Sequence, residues 1–260
     1  MYSKIALSIG GSDSGGGAGI QADLRTFMAL KVHGCTAITC VTAQNSISVK
    51  SVDDIEINNI YDQIEQVFSD FPINSLKTGM LLNENIIKAT AKKIQNYNVL
   101  KIIDPVMVSR TGAKLLEQNA INAYKEHLFP QADLVTPNIF EAKLLTDINI
   151  RCKKDIEQSG KIIKDYGANA VLIKGGGLSD LKGKDFFIDK NGKESWLSHE
   201  FINTPNTHGS GCTLSAAICG YTALGLDLPD AILKAKAFIR KSLIKAYKIG
   251  SGPGPLCHHQ

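Results

Sequence analysis

The stretch THGSGCTLSAAI, residues 207–218, sets Gly209, Gly211 and Cys212 directly before a run of small and apolar residues. Glycines there let successive backbone N–H groups converge on one point, and a helix starting at that point adds positive potential from its dipole. Such a place suits an anion, and suits better still the charge spread over a phosphoryl group in transit. A thiol in the first turn of a helix is expected to have a lowered pKa, which a nearby phosphate would push back up. A plain glycine-rich cap with a buried cysteine explains the same residues without chemistry.

Other groups along the chain favour chemistry. Lys174 closes the apolar run AVLIK, where a buried strand has little use for an ammonium, and from there it can reach phosphate oxygens. Asn138 and Glu141 stand three apart in NIFE, a spacing that suits a hydrated magnesium ion and equally a helix N-cap with its N3 partner. Asp104 follows an apolar run and precedes Pro105, as a functional carboxylate or a turn-starting residue would. The loop GGSDSGGGAGIQAD (10–23) nominally fits a dinucleotide pattern at Gly17, Gly19 and Ala22. The next strand, however, ends in Gln44–Asn45 and lacks the acid that would hold a ribose, which speaks against a nicotinamide-dependent oxidoreductase. A loop packed over a small substrate accounts for the glycines together with Asp13 and Asp23. Neither a P-loop nor a protein-kinase signature occurs.

These residues need a scaffold, and the chain alternates two patterns that supply one. Residues 4–11, 35–44, 73–80, 99–107, 133–138 and 170–177 read as strands that are largely apolar on both faces. Helical patterns fall near 18–31, 58–70, 84–97, 117–128, 139–145, 153–166, 209–224 and 229–247. Together they predict one α/β domain over residues 1–260, with a mostly parallel central sheet covered by helices on both faces. Residues 184–202 alternate around Asn191–Gly192 and predict a late β-hairpin at the sheet edge. The polar and glycine residues cluster at the carboxyl ends of the strands, where open α/β sheets bind ligands.

Composition narrows the class further. Of 260 residues 43% are hydrophobic and 21% charged, as in soluble globular proteins. The net charge of +4 is scattered, which argues against a nucleic-acid partner. Six cysteines without a C-x-x-C pair point to a reducing compartment and a cytoplasmic protein. The N-terminal apolar run is broken at once by glycine and reads as a first strand, and no segment approaches a membrane span.

The order of an N-terminal glycine loop, D-P, N-x-x-E, K-G-G and G-x-G-C resembles the ribokinase superfamily. The blocks GGSDSGGGAGIQADLRTF, VTAQNS, KTGML, DPVMV, TPNIFEA, IKGG and THGSGCTLSAAI resemble the hydroxymethylpyrimidine and phosphomethylpyrimidine kinases of thiamine biosynthesis, from residue 5 to about 220. The resemblance implies a three-layer α/β/α fold, ATP and Mg2+ as cofactors, a homodimer, and two successive phosphorylations of 4-amino-5-hydroxymethyl-2-methylpyrimidine. It implies that Cys212, where most of the superfamily carries an aspartate base, activates or orients the substrate hydroxyl beside an anion hole of Gly209, Gly211 and Cys212 N–H groups. By the same resemblance Asp23 and Gln44 bond the pyrimidine amino and ring nitrogens, and Gly11 and Met80 pack the ring. Lys174 matches the triphosphate lysine, Asp104, Asn138 and Glu141 match the magnesium and phosphate network, and Lys236 is a further candidate on the nucleotide side. Gly15, Ser210, Gly177 and Pro253 depart from residues common in that family. The nearest rival is a pyridoxal or pyridoxine kinase. A non-catalytic pyrimidine-binding domain is a second, with no need for Lys174, Glu141 and Cys212 together.

Overall fold

The computed structural model describes residues 4–107 and 118–259. Val108 of the DPVMV block and residue 117, the start of the fourth helical pattern, lie outside them. The strands are β1 (Ile5–Asp13), β2 (His33–Gln44), β3 (Val49–Asp54), β4 (Ser75–Thr78), β5 (Leu100–Ile103), β6 (Leu134–Val135), β7 (Val171–Lys174), β8 (Lys184–Ile188) and β9 (Glu194–Ser198). The helices are α1 (Gly19–Ala29), α2 (Ile57–Asp70), α3 (Glu84–Ile94), α4 (Gln118–Ala123), α5 (Ile139–Thr146), α6 (Lys153–Asp165), α7 (Ser210–Ala223) and α8 (Leu228–Ile244).

The strands form one sheet in the order β3-β2-β1-β4-β5-β6-β7-β8-β9. From β2 to β7 neighbouring strands run parallel. Successive residues of the central strands enter opposite cores, as the period of two requires. Ala6, Ile102, Leu134 and Leu172 face the core shared with α1, α7 and α8. Leu7, Ile103, Val135, Val171 and Ile173 face the core shared with α2, α3, α5 and α6. Burying each such Leu or Ile side chain stabilises the fold by about 1.5–3 kcal/mol, which is why these runs read as uninterrupted apolar segments.

Both sheet ends are antiparallel. The predicted late hairpin is β8–β9, with Gly192 at φ +81 in its turn. At the other end β3 returns against β2, an element the apolar pattern does not announce. Five of its six residues, VKSVDD, are exposed, so almost nothing in it is selected for burial, and its charges suit an open edge. The pattern near 117–128 resolves into α4 followed by a wider π turn at Tyr124–Leu128 and a 3-10 turn carrying Pro130. The small residues of α7 let it lie deep between α1 and the sheet, and a Cβ on Gly220 would stand 2.8 Å from Leu30 Cδ1.

Candidate active site

The carboxyl ends of the parallel strands meet the N-terminus of α7. Gly209 caps that helix at φ +80, ψ 7, and a Cβ there would fall 1.9 Å from the Gly17 carbonyl oxygen. Glycine is therefore required twice over, by backbone conformation and by contact with the glycine loop. Lys174, at the end of β7, brings Nζ within 3.4 Å of the position a Cβ would take on Gly211. An ammonium thus stands beside the first turn of a helix, an arrangement suited to phosphoryl oxygens.

Asp104 ties this place together. Its Oδ1 accepts hydrogen bonds from Lys174 Nζ and Thr136 Oγ1, both at 3.1 Å, and its Oδ2 accepts one from Ser215 Oγ of α7 at 3.0 Å. Burial alone would lower the pKa of Lys174, but Asp104 and Glu141 beside it hold it raised. Asn138 and Glu141 form a full capping box on α5: Asn138 Oδ1 accepts from the Glu141 N–H at 2.9 Å, and Glu141 Oε2 accepts from the Asn138 N–H at 2.7 Å. Burial pushes Glu141 up to about 7, with Lys174 opposing and Asp104 adding to the shift.

Cys212 sits in the first turn of α7, half-buried. The expected lowering of its pKa is not found. The thiol is pushed up to about 11, first by burial, while the Lys77 ammonium pulls it down and Asp23 and Asp104 push it further up. Loss of water outweighs the Lys77 ammonium and the Gly19 backbone N–H, the two influences that pull the thiol down.

A second charged group lies in the same floor. Asp23 of α1 is 1% exposed and accepts bonds from Lys77 Nζ at 3.0 Å (Oδ1) and 2.9 Å (Oδ2), and from Ser8 Oγ at 2.6 Å (Oδ2). Burial raises its pKa against the pull of Lys77 and Ser8, while Lys77 itself stays firmly protonated. Sequence reasoning missed Lys77, though its signal matched that of Lys174: a lysine inside a fully buried strand, SLKT.

Gly11 and Met80 are neighbours, a Cβ on Gly11 falling 3.7 Å from Met80 Cβ and 2.7 Å from Cys40 Sγ. Gln44 ends β2 and is anchored through its backbone, whose N–H donates to Ser14 Oγ while its carbonyl accepts from the same hydroxyl. Lys236, by contrast, is buried in α8 and ion-paired with Asp185, whose other oxygen accepts the Gly175 N–H at 3.1 Å. It supports the turn after Lys174 from behind.

Asp13 organises the glycine loop. Its carboxylate accepts from the N–H groups of Gly15 (2.8 Å), Gly17 (3.1 Å) and Ala18 (2.8 Å) and contacts His208 Nε2 at 2.9 Å. Burial raises its pKa, but His208 and the amides outweigh that and hold it below 3.8. A lowered folded pKa means stability that is present above the ordinary carboxylate range and lost as pH falls through the folded value. Asp13→Ala is expected to cost about 3 kcal/mol in urea unfolding at pH 7 by leaving these donors unpaired. The difference from the parent should shrink below pH 3.8. An equal cost at every pH would show that the charge plays no part.

Helices on both faces of the sheet, a glycine loop at one strand end and a lysine beside a helix N-terminus make up the three-layer arrangement that the resemblance to ribokinase-like kinases implies. Residues 13–257 match the family model for phosphomethylpyrimidine kinase. A hydroxymethylpyrimidine/phosphomethylpyrimidine kinase of Synechococcus elongatus is 51% identical over 99% of this chain and 98% of its own. Among solved structures, a Bacillus subtilis pyridoxal kinase in complex with ADP is 37% identical, with a TM-score of 0.91 over 98% of this chain and 97% of that one. A phosphomethylpyrimidine kinase of Clostridium difficile is 38% identical, with a TM-score of 0.82 over 92% and 99%. The chain belongs to the phosphomethylpyrimidine kinase family.

Proposed function

We propose that this protein is an ATP-dependent kinase that phosphorylates the hydroxymethyl group of 4-amino-5-hydroxymethyl-2-methylpyrimidine and then its monophosphate. The reaction would serve thiamine biosynthesis, in the cytoplasm and as a homodimer. Alongside family membership, the observation that carries this reading is the approach of Lys174 Nζ to the first turn of α7, 3.4 Å from where a Cβ on Gly211 would stand, next to the Gly209 cap.

In this reading Lys174 and the N–H groups of Gly209, Gly211 and Cys212 bind and neutralise the phosphoryl group as it moves to the substrate oxygen. Cys212, at the same helix end, orients the attacking hydroxyl. Gly11 and Met80 pack the ring, while Gln44 and Asp23 bond its amino and ring nitrogens. Asp23 Oδ1, which carries one bond against two on Oδ2, has the greater capacity left for a ring donor.

Asp104 and Glu141 are the carboxylates that would hold Mg2+. Among the described residues no three His, Cys, Asp or Glu side chains gather as ligands. Mg2+ takes one or two carboxylates and otherwise water and nucleotide phosphates. Burial holds Glu141 at about 7 and the neighbouring Asp104 adds to that shift, so a cation beside Glu141 would be favoured there. An ion held by Asp104 and Glu141 would supply charge neutralisation for the nucleotide phosphates. Asn138 orients Glu141 through the capping box.

A second reading, pyridoxal kinase, is favoured by the close fold match to the Bacillus subtilis enzyme. The deciding experiment incubates purified protein and magnesium-ATP with hydroxymethylpyrimidine or with pyridoxal and resolves products by mass spectrometry. Mono- and diphosphorylated pyrimidine is the expected result. Phosphorylated pyridoxal alone would replace the substrate assignment, and no product from either would overturn the kinase reading.

A further inference from the structure

The C-terminal segment GSGPGPLCHH (250–259) has no part in the chemistry above, yet it is threaded tightly through the molecule. The Gly252 N–H donates to Ser46 Oγ at 3.1 Å, in the turn between β2 and β3. The Gly254 N–H donates to Asn206 Oδ1 at 2.9 Å, and the Gly254 carbonyl accepts from the His208 N–H at 3.1 Å. Leu256 is 1% exposed in the core beside α7, and the Cys257 N–H bonds the Ser242 carbonyl of α8. His258 Nε2 lies 3.0 Å from Thr213 Oγ1, one residue past Cys212. A Cβ on Gly252 would stand 1.9 Å from the Ser46 carbonyl oxygen, and one on Gly254 1.9 Å from that of Tyr247. The segment therefore has little freedom to shift.

What it holds is the loop that ends in the anion site. No residue from 199 to 209 is buried, so apolar packing does not fix that loop. Its end next to α7 is tied by hydrogen bonds of His208 to Asp13 on one side, and of Asn206 and His208 to Gly254 on the other, while its start is held by the His199 N–H on the Gly183 carbonyl and the Arg240–Glu200 ion pair. Binding donors must be held to fractions of an ångström if they are to act on a transition state.

We propose that residues 252–258 are a strap that positions the Gly209–Cys212 donors, acting through Asn206, His208 and Thr213. Its activity readout rests on the kinase reading, whereas its mobility readout does not.

The test uses the full chain and two variants, Gly254→Ala and Thr213→Val. The second keeps side-chain shape and removes only the bond to His258, so it serves if the first does not fold. Amide hydrogen exchange of peptides covering 205–213 is followed by mass spectrometry without ligand, beside steady-state kinetics with magnesium-ATP and hydroxymethylpyrimidine. The expected result is faster exchange in that loop, kcat lowered about 10- to 100-fold, and KM for the pyrimidine within about twofold, since the ring contacts lie on other elements. Unchanged exchange overturns the strap. Faster exchange with unchanged kcat overturns its positioning role and leaves a structural tail. If the parent protein phosphorylates neither substrate, the function proposal fails and exchange alone decides the strap.

Discussion

Cys212→Ala lowers turnover about 100- to 10,000-fold, the range for a group that orients a reacting hydroxyl or assists its proton transfer, and leaves the melting temperature nearly unchanged. Cys212 is half-buried at the helix end where Lys174 and the glycine N–H groups converge, so its removal takes nothing from either hydrophobic core. With its pKa pushed up to about 11, the resting group is a neutral thiol. A neutral thiol can hold a hydroxyl in line for attack, and phosphoryl transfer asks more for that alignment than for a strong base. Cys212→Ser, which keeps a donor and acceptor in a smaller atom, should fall between the parent and the alanine variant. The pH dependence gives a check that needs no substrate. Alkylation of Cys212 by iodoacetamide, followed on its peptide by mass spectrometry, should rise with pH toward about 11 without a plateau near neutrality. The sign of the linked stability follows: a folded pKa above the ordinary thiol value of 9.0 contributes stability below that pH, lost as pH rises toward 11. A plateau at pH 6–7 would show that the helix dipole wins after all, and unchanged turnover in both variants would reduce Cys212 to a cap residue.

The parallel core was legible in the sequence because burial on both faces leaves an unmistakable mark. Runs such as AVLIK and KIALSIG have no polar face to alternate with, and each became a central strand. The edge strand β3 was not legible, since five of its six side chains meet solvent and its pairing rests on backbone bonds that any sequence can make. At the site, residues that combine an unusual type with an apolar neighbourhood stood out, namely Lys174, Asp104 and Cys212. The supports of those groups did not. Ser215 and Thr136 bond Asp104 across 111 and 32 residues of chain, and no local pattern marks a hydroxyl for such a partner. Asp13 and His208 are 195 residues apart and meet only because α7 is folded back against the glycine loop. Lys77 was within reach of the reading applied to Lys174, and a buried lysine in mid-strand merits the same question wherever it occurs. The raised pKa of Cys212 depended on how deeply its surroundings exclude water, a property of the packed structure and not of helix position alone.

Lys174→Met is expected to lower kcat/KM for ATP about 100- to 1,000-fold, the loss typical of one donor to a charge-bearing transition state. The single variant also disturbs the fold, and the two effects have to be separated. Its ammonium is bound to Asp104, whose side chain is only 2% exposed, so methionine leaves a buried carboxylate without its cation. Breaking such a pair from one side costs about 3–5 kcal/mol, whereas removing both charges is often close to neutral. Lys174→Met/Asp104→Asn should therefore recover most of the stability in urea unfolding, because an asparagine amide can still meet Thr136 and Ser215. Activity should not recover with it, since no ammonium then stands beside Gly211 and one of the two carboxylates that would hold Mg2+ is gone as well. If the double variant regains both stability and kcat/KM, Lys174 and Asp104 form a structural ion pair that happens to lie at the helix end. If stability returns alone, the pair has a role in the reaction beyond its part in the fold, and Asp104→Asn by itself then separates the Lys174 charge on the phosphoryl group from the carboxylate that would hold Mg2+.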